Sequence, residues 1–213
     1  MTSQNRKERS ITVILPAFNE EGTIGNIVQK VRKYVDDVIV VNDGSKDKTA
    51  ENALKHGATV ISHRANKGYI HALRTGLKYA EGEVIVIMDA DGQHEPDDIP
   101  RLVKPILDDE ADLVIGARER LSSFSEKILT ILTRAKVNTQ DASSGFKAIT
   151  KDVAKKMNVK GECVCGTFVL EAFKLGARVV DIKIKTKPRA YGKSRMKGNH
   201  LIQFFLVLKE LFF

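Results

Sequence analysis

The stretch Val84-Ile85-Val86-Ile87-Met88-Asp89-Ala90-Asp91-Gly92-Gln93 joins a strongly apolar run to two closely spaced carboxylates. A short apolar run rich in β-branched residues is typical of a strand that is covered on both faces. Such strands occur mainly in parallel sheets that are flanked by helices. The stretch therefore predicts an α/β fold with acidic groups at the end of a central strand.

Outward from this stretch, short β-branched runs alternate with segments of helical periodicity, although the pattern becomes less regular after Ala117. The length of 213 residues and the apolar content of 42% suit one folded domain over residues 1–213. We expect a mostly parallel central sheet covered by helices. The predicted strands cover residues 11–15, 38–41, 59–62, 84–88, 113–116 and 178–184, and the predicted helices cover about 22–33, 47–56, 68–80, 97–107, 128–137 and 166–175.

Polar clusters follow three of the predicted strands. They are Pro16-Ala17-Phe18-Asn19-Glu20-Glu21, Asn42-Asp43-Gly44-Ser45 and Asp89-Ala90-Asp91-Gly92-Gln93-His94. Each cluster alone is compatible with an ordinary turn, because Asp, Asn and Gly are common turn residues. Ligands of open parallel sheets, however, bind beyond the carboxyl ends of the strands. Three clusters at one sheet edge therefore predict a binding site there.

Asp89 and Asp91 form the most informative pair. Carboxylates two residues apart at a strand end project to the same side and repel each other unless a cation lies between them. Gln93 adds an amide oxygen, and oxygen ligands suit Mg²⁺ or Mn²⁺ better than zinc. The pair therefore predicts a metal that retains open positions for a diphosphate. His94 could be a ligand or a base, but we expect a partly exposed loop histidine.

Several protein classes lack support. Cys163 and Cys165 are too few for a disulfide framework and lack zinc-site spacing, and the cysteine count favours a reducing compartment. The polar N-terminus predicts no signal peptide, and no apolar run approaches the roughly 20 residues that span a bilayer. Neither G-x-G-x-x-G nor a Walker A pattern is present, and Ser45 lacks a nucleophile signature.

The charge is concentrated near the carboxyl end. The formal net charge is +8, and seven cations without an acid lie between Ile182 and His200: Lys183, Lys185, Lys187, Arg189, Lys193, Arg195 and Lys197. This basic segment predicts an anionic partner. The final residues, 200–213, are mostly apolar and predict a helix. Two alternatives remain open for it, packing on the core or lying in a membrane interface.

The ordered set of motifs resembles family 2 glycosyltransferases, which have the GT-A fold, a nucleotide-binding α/β domain. The resemblance rests on the three strand-end clusters together with Asn66-Lys67-Gly68. Gly116-Ala117-Arg118, Asp141-Ala142-Ser143-Ser144-Gly145-Phe146 and Arg189-Ala190-Tyr191-Gly192-Lys193-Ser194 look like the branch that makes dolichyl- or polyprenyl-phosphate sugars. The resemblance covers about residues 10–200.

The resemblance implies roles for individual residues. Asp89, Asp91 and Gln93 would hold the metal on the donor diphosphate, and catalysis would depend on Asp91, Arg118 and Asp141. The nucleotide would be bound by Pro16, Ala17, Glu20, Asp43, Lys67, Asp89 and Ala90. This chain departs from many members in having Asn42 for a first Asp and Arg195 for a Lys.

The acceptor distinguishes the branches of this family. A sugar hydroxyl needs a general base, whereas a lipid phosphate is already ionised and needs cations to position it. The available cations favour the phosphate, with Arg118, Arg134, Arg189 and Arg195 as its expected ligands and Arg120 nearby. Asp141 is the only well-placed acid in the middle region, and it could serve as a base or hold the Ser143–Gly145 turn.

We therefore expect an inverting hexosyltransferase that uses GDP-mannose or a UDP-sugar and Mg²⁺ or Mn²⁺ to glycosylate a polyprenyl or dolichyl phosphate. It would act peripherally at the cytoplasmic face of a membrane. The main alternative is a family 2 enzyme with a saccharide hydroxyl acceptor. A non-catalytic module that binds anionic membranes or nucleic acid is the alternative of another class. Nucleic acid is disfavoured because Tyr191 is the only aromatic residue in the basic segment.

Overall fold

The computed structural model describes residues 9–121, 123–161, 163–189 and 200–212. Within these residues, seven strands form one sheet. The strands are β1 (Ile11–Ala17), β2 (Asp37–Asn42), β3 (Thr59–Ser62), β4 (Val84–Ile87), β5 (Leu113–Arg118), β6 (Lys147–Thr150) and β7 (Val179–Ile184). Their order across the sheet is β3-β2-β1-β4-β6-β5-β7. Every adjacent pair is parallel except the two that involve β6, so the predicted mostly parallel sheet is confirmed.

Helices cover both faces of the sheet. In α1, Ile24, Ile27, Val28 and Val31 are buried, as their helical spacing predicts. Side chains of β1 alternate between the two core layers, with Ile14 in one and Val13 and Leu15 in the other. The helices are α1 (Ile24–Val31), α2 (Thr49–Lys55), α3 (Tyr69–Tyr79), α4 (Ile99–Leu107), α5 (Phe124–Arg134), α6 (Lys151–Lys156), α7 (Thr167–Lys174) and α8 (His200–Phe212), and a 3₁₀ turn, Pro96–Asp98, precedes α4.

The parallel register brings the predicted polar clusters to one edge. Ala17, the last residue of β1, pairs with Asn42, the last residue of β2. Ile87 of β4 pairs with Ile14, and the Met88 amide donates to the Ile14 carbonyl at 3.1 Å. The acidic residues that follow Met88 therefore run beside the end of β1.

Strand β6 and helix α6 were not predicted. The four-residue strand begins with the charged Lys147 and carries little hydrophobic pattern of its own. It is held by antiparallel pairing with β4 and β5, for example Ile85 with Ile149 and Val114 with Ala148. Tertiary pairing rather than local sequence determines this strand. Helix α5 also begins earlier than expected, because Ser123 caps it by accepting from the Glu126 amide at 3.2 Å.

Helix α8 packs against α5 and α7, so one side of the predicted terminal helix belongs to the core. Val207 and Gln203 are buried, and Gln203 Nε2 donates to the Cys165 carbonyl at 2.9 Å. The opposite side exposes Ile202, Phe205 and Phe212. None of the described helices is long and apolar enough to cross a membrane.

Candidate active site

A cavity of about 460 Å³ opens at the carboxyl edge of the parallel strands. Residues from the ends of β1, β2 and β4 form one half, and residues from β5, α5, the segment before β6 and the loop before α7 form the other. The lining residues are Pro16, Ala17, Phe18, Glu20, Asp43, Asn66, Gly68, Tyr69, Ala72, Asp89, Ala90, Asp91, Gln93, His94, Arg118, Arg120, Glu126, Ser143, Gly145, Cys163, Val164, Cys165, Thr186 and Arg189.

Asp43 organises the cavity wall at the end of β2. Its carboxylate accepts from the amides of Lys67 and Gly68 at 3.0 and 2.8 Å, and His63 Nδ1 lies 2.7 Å away. The carboxylate therefore fixes the 66–68 loop at the cavity wall. The other ring nitrogen of His63 contacts Thr75 Oγ1 at 2.9 Å. The side chain of Lys67 is exposed and does not line the cavity, so only its backbone joins this group.

Asn42 has a structural role that the sequence did not indicate. Its Oδ1 accepts from the Ser45 amide at 3.0 Å, and its Nδ2 donates to Ser62 Oγ of β3 at 3.1 Å. Ser45 Oγ in turn accepts from the Asn19 amide at 2.9 Å. An aspartate at position 42 would lack the amide donor to Ser62. These contacts link the ends of three neighbouring strands.

Asp89 lies at the boundary between the two halves. His94 Nε2 is 3.7 Å from Asp89 Oδ2, and His94 is only 6% exposed, so the expectation of a partly exposed loop histidine was wrong. Burial alone would raise the pKa of Asp89, but interactions with His94, Lys147 and Tyr69 lower it below its usual value. On the other side, a Cβ at Gly145 would overlap the Asp89 carboxylate, so glycine permits this close approach.

Asp91 is paired with a cation from the basic segment. Arg189 Nη1 donates to Asp91 Oδ2 at 3.3 Å, and Nη2 donates to Glu20 Oε1. Burial and the charge of Asp89 raise the pKa of Asp91, although the Gln93 amide and Arg189 oppose the increase. A backbone hydrogen bond also connects the basic segment to the residues after β4, since the Lys187 amide donates to the Gln93 carbonyl at 2.9 Å.

These residues fit the predicted divalent metal. Asp89, Asp91 and Gln93 offer oxygen donors at one wall of the cavity. Burial and the neighbouring charge of Asp89 raise the pKa of Asp91, and a cation between the two carboxylates would offset both effects. No group of three His, Cys, Asp or Glu side chains within the described ranges is arranged to hold a metal. The chain would therefore supply part of a coordination shell, as Mg²⁺ sites that also bind phosphates commonly do.

Arg118 is the fixed cation of the other half. Its Nε donates to Asp141 Oδ2 at 2.6 Å and its Nη2 to Oδ1 at 2.9 Å, and Glu126 Oε2 lies 3.4 Å from Nη2. Asp141 is fully buried and does not line the cavity. Burial would raise the pKa of Asp141, but the contacts with Arg118 lower it. Asp141 also accepts from the Ser143 amide at 3.1 Å, which favours the structural alternative for this acid.

Lys147 is a buried cation that the sequence did not indicate. It is 1% exposed, and its ammonium donates to the Ser144 carbonyl and lies 5.8 Å from the centre of the Phe168 ring. Burial lowers the pKa of Lys147 to about 8, although the charges of Asp141 and Asp89 oppose this shift. Lys147 therefore balances carboxylates of both halves from within the sheet.

Other predicted residues are not assembled here. Arg134 is exposed in the last turn of α5 and does not line the cavity, so its role as an acceptor ligand stays a prediction. Arg195 and most of the motif around it lie outside the described residues. Sequence reasoning missed Tyr69, Glu126 and Lys147. Glu126 ends a Ser-x-x-Glu pattern, but that pattern indicates a helix cap rather than a cavity residue.

The short loop before α7 also lines the cavity. The structure joins Cys163 and Cys165 by a disulfide, with Cα atoms 5.4 Å apart, an arrangement not expected from the cysteine count. Both residues are buried. The loop connects the cavity wall to α8 through the Cys165 carbonyl.

Comparisons with known proteins agree with this geometry. The model of the family described as glycosyl transferase family 2 matches residues 12–165. An uncharacterised protein of Methanocaldococcus jannaschii is 36% identical, with coverage of 94% of this chain and 90% of its own length. The UDP-N-acetylglucosamine–dolichyl-phosphate N-acetylglucosaminyltransferase of Methanococcus voltae is 29% identical over 95% of this chain and 97% of its length.

A further relative is the dolichol-phosphate mannosyltransferase of Pyrococcus furiosus, 28% identical over 91% of this chain and 61% of its own length. Among solved structures, glucosyl-3-phosphoglycerate synthase from Mycobacterium tuberculosis superposes with a TM-score of 0.81 and 24% identity, covering 95% of this chain and 80% of that chain. The predicted GT-A fold is thereby confirmed.

Proposed function

Because the chain belongs to glycosyl transferase family 2, we propose that it transfers a hexose from GDP-mannose or a UDP-sugar to a polyprenyl or dolichyl phosphate. The observation that carries this proposal is Arg118, a cation fixed by the buried Asp141 in the wall of the cavity that also contains Asp89 and Asp91. A preorganised guanidinium is suited to bind a phosphate beside the donor.

The donor would occupy the half formed by β1, β2 and β4. Pro16, Ala17 and the Asp43-fixed loop would contact the nucleoside, and Glu20 and Ala90 would lie nearer the diphosphate. Asp89, Asp91 and Gln93 would hold Mg²⁺ or Mn²⁺, which neutralises the charge that develops on the leaving nucleoside diphosphate. A metal at Asp91 would compete with Arg189, which binds Asp91 and Glu20 in this structure.

The acceptor would approach from the half formed by β5 and α5. A phosphate oxygen of the lipid, already ionised, would attack the anomeric carbon while the bond to the nucleoside diphosphate breaks. Arg118 and Arg120 would orient the phosphate, and Arg189 would join them once it leaves Asp91. A single displacement inverts the anomeric configuration. The printed names of the M. voltae and P. furiosus relatives include dolichyl or dolichol phosphate, which supports this acceptor class.

The experiment that tests this function is a donor panel. Purified protein is incubated with UDP- and GDP-sugars, polyprenyl phosphate and Mg²⁺ or Mn²⁺, and the products are analysed by mass spectrometry and NMR. We expect one nucleotide sugar to give a lipid phosphosugar of inverted configuration. Retained configuration would contradict the single displacement, and full activity in EDTA would contradict the metal assignment.

A specific observation favours a second candidate, transfer to a saccharide hydroxyl. Glu126 lines the cavity beside Arg118, and a carboxylate in this position could act as the general base that a hydroxyl acceptor requires. Glu126→Gln separates the two functions. With a phosphate acceptor we expect the variant to keep the shape of the pH–rate profile. A large fall in turnover, with loss of the acidic limb that protonation of a general base produces, would favour the hydroxyl acceptor.

Membrane attachment at the cytoplasmic face is a further part of the proposal. Helices α5 and α8 are neighbours. Helix α5 exposes Phe124 and Ile131, and helix α8 exposes Ile202, Phe205 and Phe212. The exposed apolar side chains and the basic segment would supply the two signals that stable attachment needs. Because Gln203 and Val207 are buried, deletion of α8 would disturb the core. Point substitution is therefore the cleaner test.

We expect Phe205→Ser to reduce sedimentation with anionic liposomes and to leave nucleotide binding unchanged. Leu54→Ser is the matched control, because Leu54 is also exposed but lies on α2. Added salt should weaken liposome binding through screening of the basic segment. Equal liposome binding by Phe205→Ser and the wild type would contradict attachment through α8.

A further inference from the structure

Three buried polar atoms lack a hydrogen-bond partner in the part of the chain that the structure describes: Tyr69 Oη, His94 Nδ1 and Ser143 Oγ. All three residues line the same cavity. A buried polar group without a partner costs about 1–3 kcal/mol, so natural proteins contain few of them. Because all three border one cavity, they are available to a molecule that fills it.

Two of the three residues, Tyr69 and His94, lie beside Asp89. Burial, the Asp89 charge and a contact between the Tyr69 hydroxyl and the Asp89 carboxylate raise the pKa of Tyr69. That contact does not have the geometry of a hydrogen bond, so the hydroxyl can still donate to a ligand. The other nitrogen of His94 lies 3.7 Å from Asp89, and the ring packs 5.3 Å from that of Phe146. Ser143 is 5% exposed, and its amide is bound to Asp141, which fixes its backbone.

Their position follows the order of the strands. The proposed nucleotide contacts lie at the ends of β1 and β2, and Arg118 lies at the end of β5. Asp89 and His94 follow β4, and Ser143 precedes β6, the two strands that separate these ends of the cavity. A group bound here would lie between the leaving nucleotide and the incoming acceptor, where the transferred sugar must be.

The chemistry of the three groups fits a neutral, hydroxyl-rich ligand. A hydroxyl can donate and accept, and neutral histidine offers one donor and one acceptor nitrogen. A second anion would be repelled by Asp89 and Asp91. Sugar hydroxyls complement such groups without adding charge, and a site built to bind them rejects analogues that lack them.

We propose that Tyr69, His94 and Ser143 form the subsite that recognises the hydroxyls of the transferred hexose and thereby determine which sugar is used. This inference rests on the proposed function. Tyr69 and Ser143 are the sharper test positions, because His94 also faces the proposed metal ligand Asp89.

The test uses Tyr69→Phe and Ser143→Ala, each of which removes one hydroxyl. Tyr79→Phe is the matched control, since Tyr79 lies on the same helix but is exposed and outside the cavity. The affinities of the intact nucleotide sugar and of the free nucleoside diphosphate, both with Mn²⁺, are measured by calorimetry. kcat/KM is measured with the preferred donor and with its monodeoxy analogues.

We expect each variant to lower kcat/KM for the preferred donor about tenfold, equivalent to about 1.4 kcal/mol. The affinity for the nucleoside diphosphate should not change. Each substituted side chain should contact one sugar hydroxyl, so the variant should no longer distinguish the preferred donor from the deoxy donor that lacks this hydroxyl. A merely structural effect would not change the preference for one deoxy donor alone.

Two outcomes distinguish the inference from the function on which it rests. In the first outcome, the wild type binds and uses a nucleotide sugar, and both variants show the same preferences among deoxy donors as the wild type. The subsite assignment is then wrong and the function stands. If the wild type binds no nucleotide sugar, both are wrong.

Discussion

The two halves of the cavity are built in different ways. In the half proposed for the donor, parallel strands β1, β2 and β4 each end in a polar cluster, and contacts between successive clusters, such as Asn19 with Ser45, hold them in place. In the half proposed for the acceptor, the antiparallel β6 lies between β4 and β5, and the polar groups come from distant parts of the chain. Arg118 and Asp141 are 23 residues apart.

This difference shows where chemistry can be located from strand pattern alone. A parallel strand delivers its following residues to a predictable edge, so motif and position coincide. In the acceptor half, the position of a side chain depends on a pairing partner elsewhere in the chain. Ser143 and Gly145 reach the cavity because β6 runs in the direction opposite to its neighbours.

The largest effect is expected from breaking the donor half. Asp89→Asn should lower turnover by about a hundred- to a thousandfold, because the lost charge faces the proposed metal and diphosphate. The fold should persist, since Asp89 borders the cavity rather than the core. Steady-state kinetics and circular dichroism check this expectation. Near-normal turnover of a folded variant would remove Asp89 from the metal site.

Gly145→Ala tests whether the acceptor half controls the donor half. The added Cβ would overlap the Asp89 carboxylate, so we expect the variant to lose at least about tenfold in Mn²⁺-dependent nucleotide affinity. Calorimetry with Mn²⁺ and nucleoside diphosphate measures this loss. As a control, Gly176→Ala meets no atom within 4 Å and should reduce stability only, through its positive φ. Unchanged affinity in Gly145→Ala would show that the two halves are independent.

Asp141→Asn should affect the acceptor half alone. Loss of the charge that pairs with Arg118 should destabilise the fold by about 3 kcal/mol and lower turnover about tenfold. Nucleoside diphosphate affinity should remain at the wild-type value. Chemical denaturation and kinetics provide the measurements, and Arg134→Ala, at an exposed position on α5, is the control expected to have little effect. A parallel loss of nucleotide affinity would contradict the division into halves.

The effect expected to be smallest on turnover is a pH dependence of stability that originates from Lys147. Its folded pKa of about 8 lies below the ordinary value of 10.5, so the unfolded chain binds the proton more tightly. Burial of the protonated lysine therefore lowers the free energy of unfolding by its full amount below pH 8. This loss of stability disappears as pH rises toward 10.5. Relative to Lys147→Met, the wild type should therefore gain up to about 3 kcal/mol across this window. A constant difference between their unfolding free energies from pH 7 to 10 would contradict the burial of a charged Lys147.

Much of the donor half was predictable. The strands that end at Ala17 and Asn42 and the acidic pair after β4 were all predicted, and the structure brings them together. The environment of His94 was not predictable, since nothing in the Gly-Gln-His sequence indicates that the ring packs on Phe146. Lys147 was missed because a lysine at the start of a short run is normally exposed.

The sequence by itself determined the α/β architecture, because β-branched runs and helical periods are local patterns that repeat along the chain. It also determined the acidic character of the sheet edge where we propose that the donor binds, because the motif residues directly follow their strands. Only the tertiary structure decided which groups face each other across the cavity. Asp141 is placed beside Arg118, and Tyr69 and Ser143 are brought to one cavity, by pairings between distant segments. Such pairings depend on burial and charge in three dimensions, which spacing along a chain does not encode.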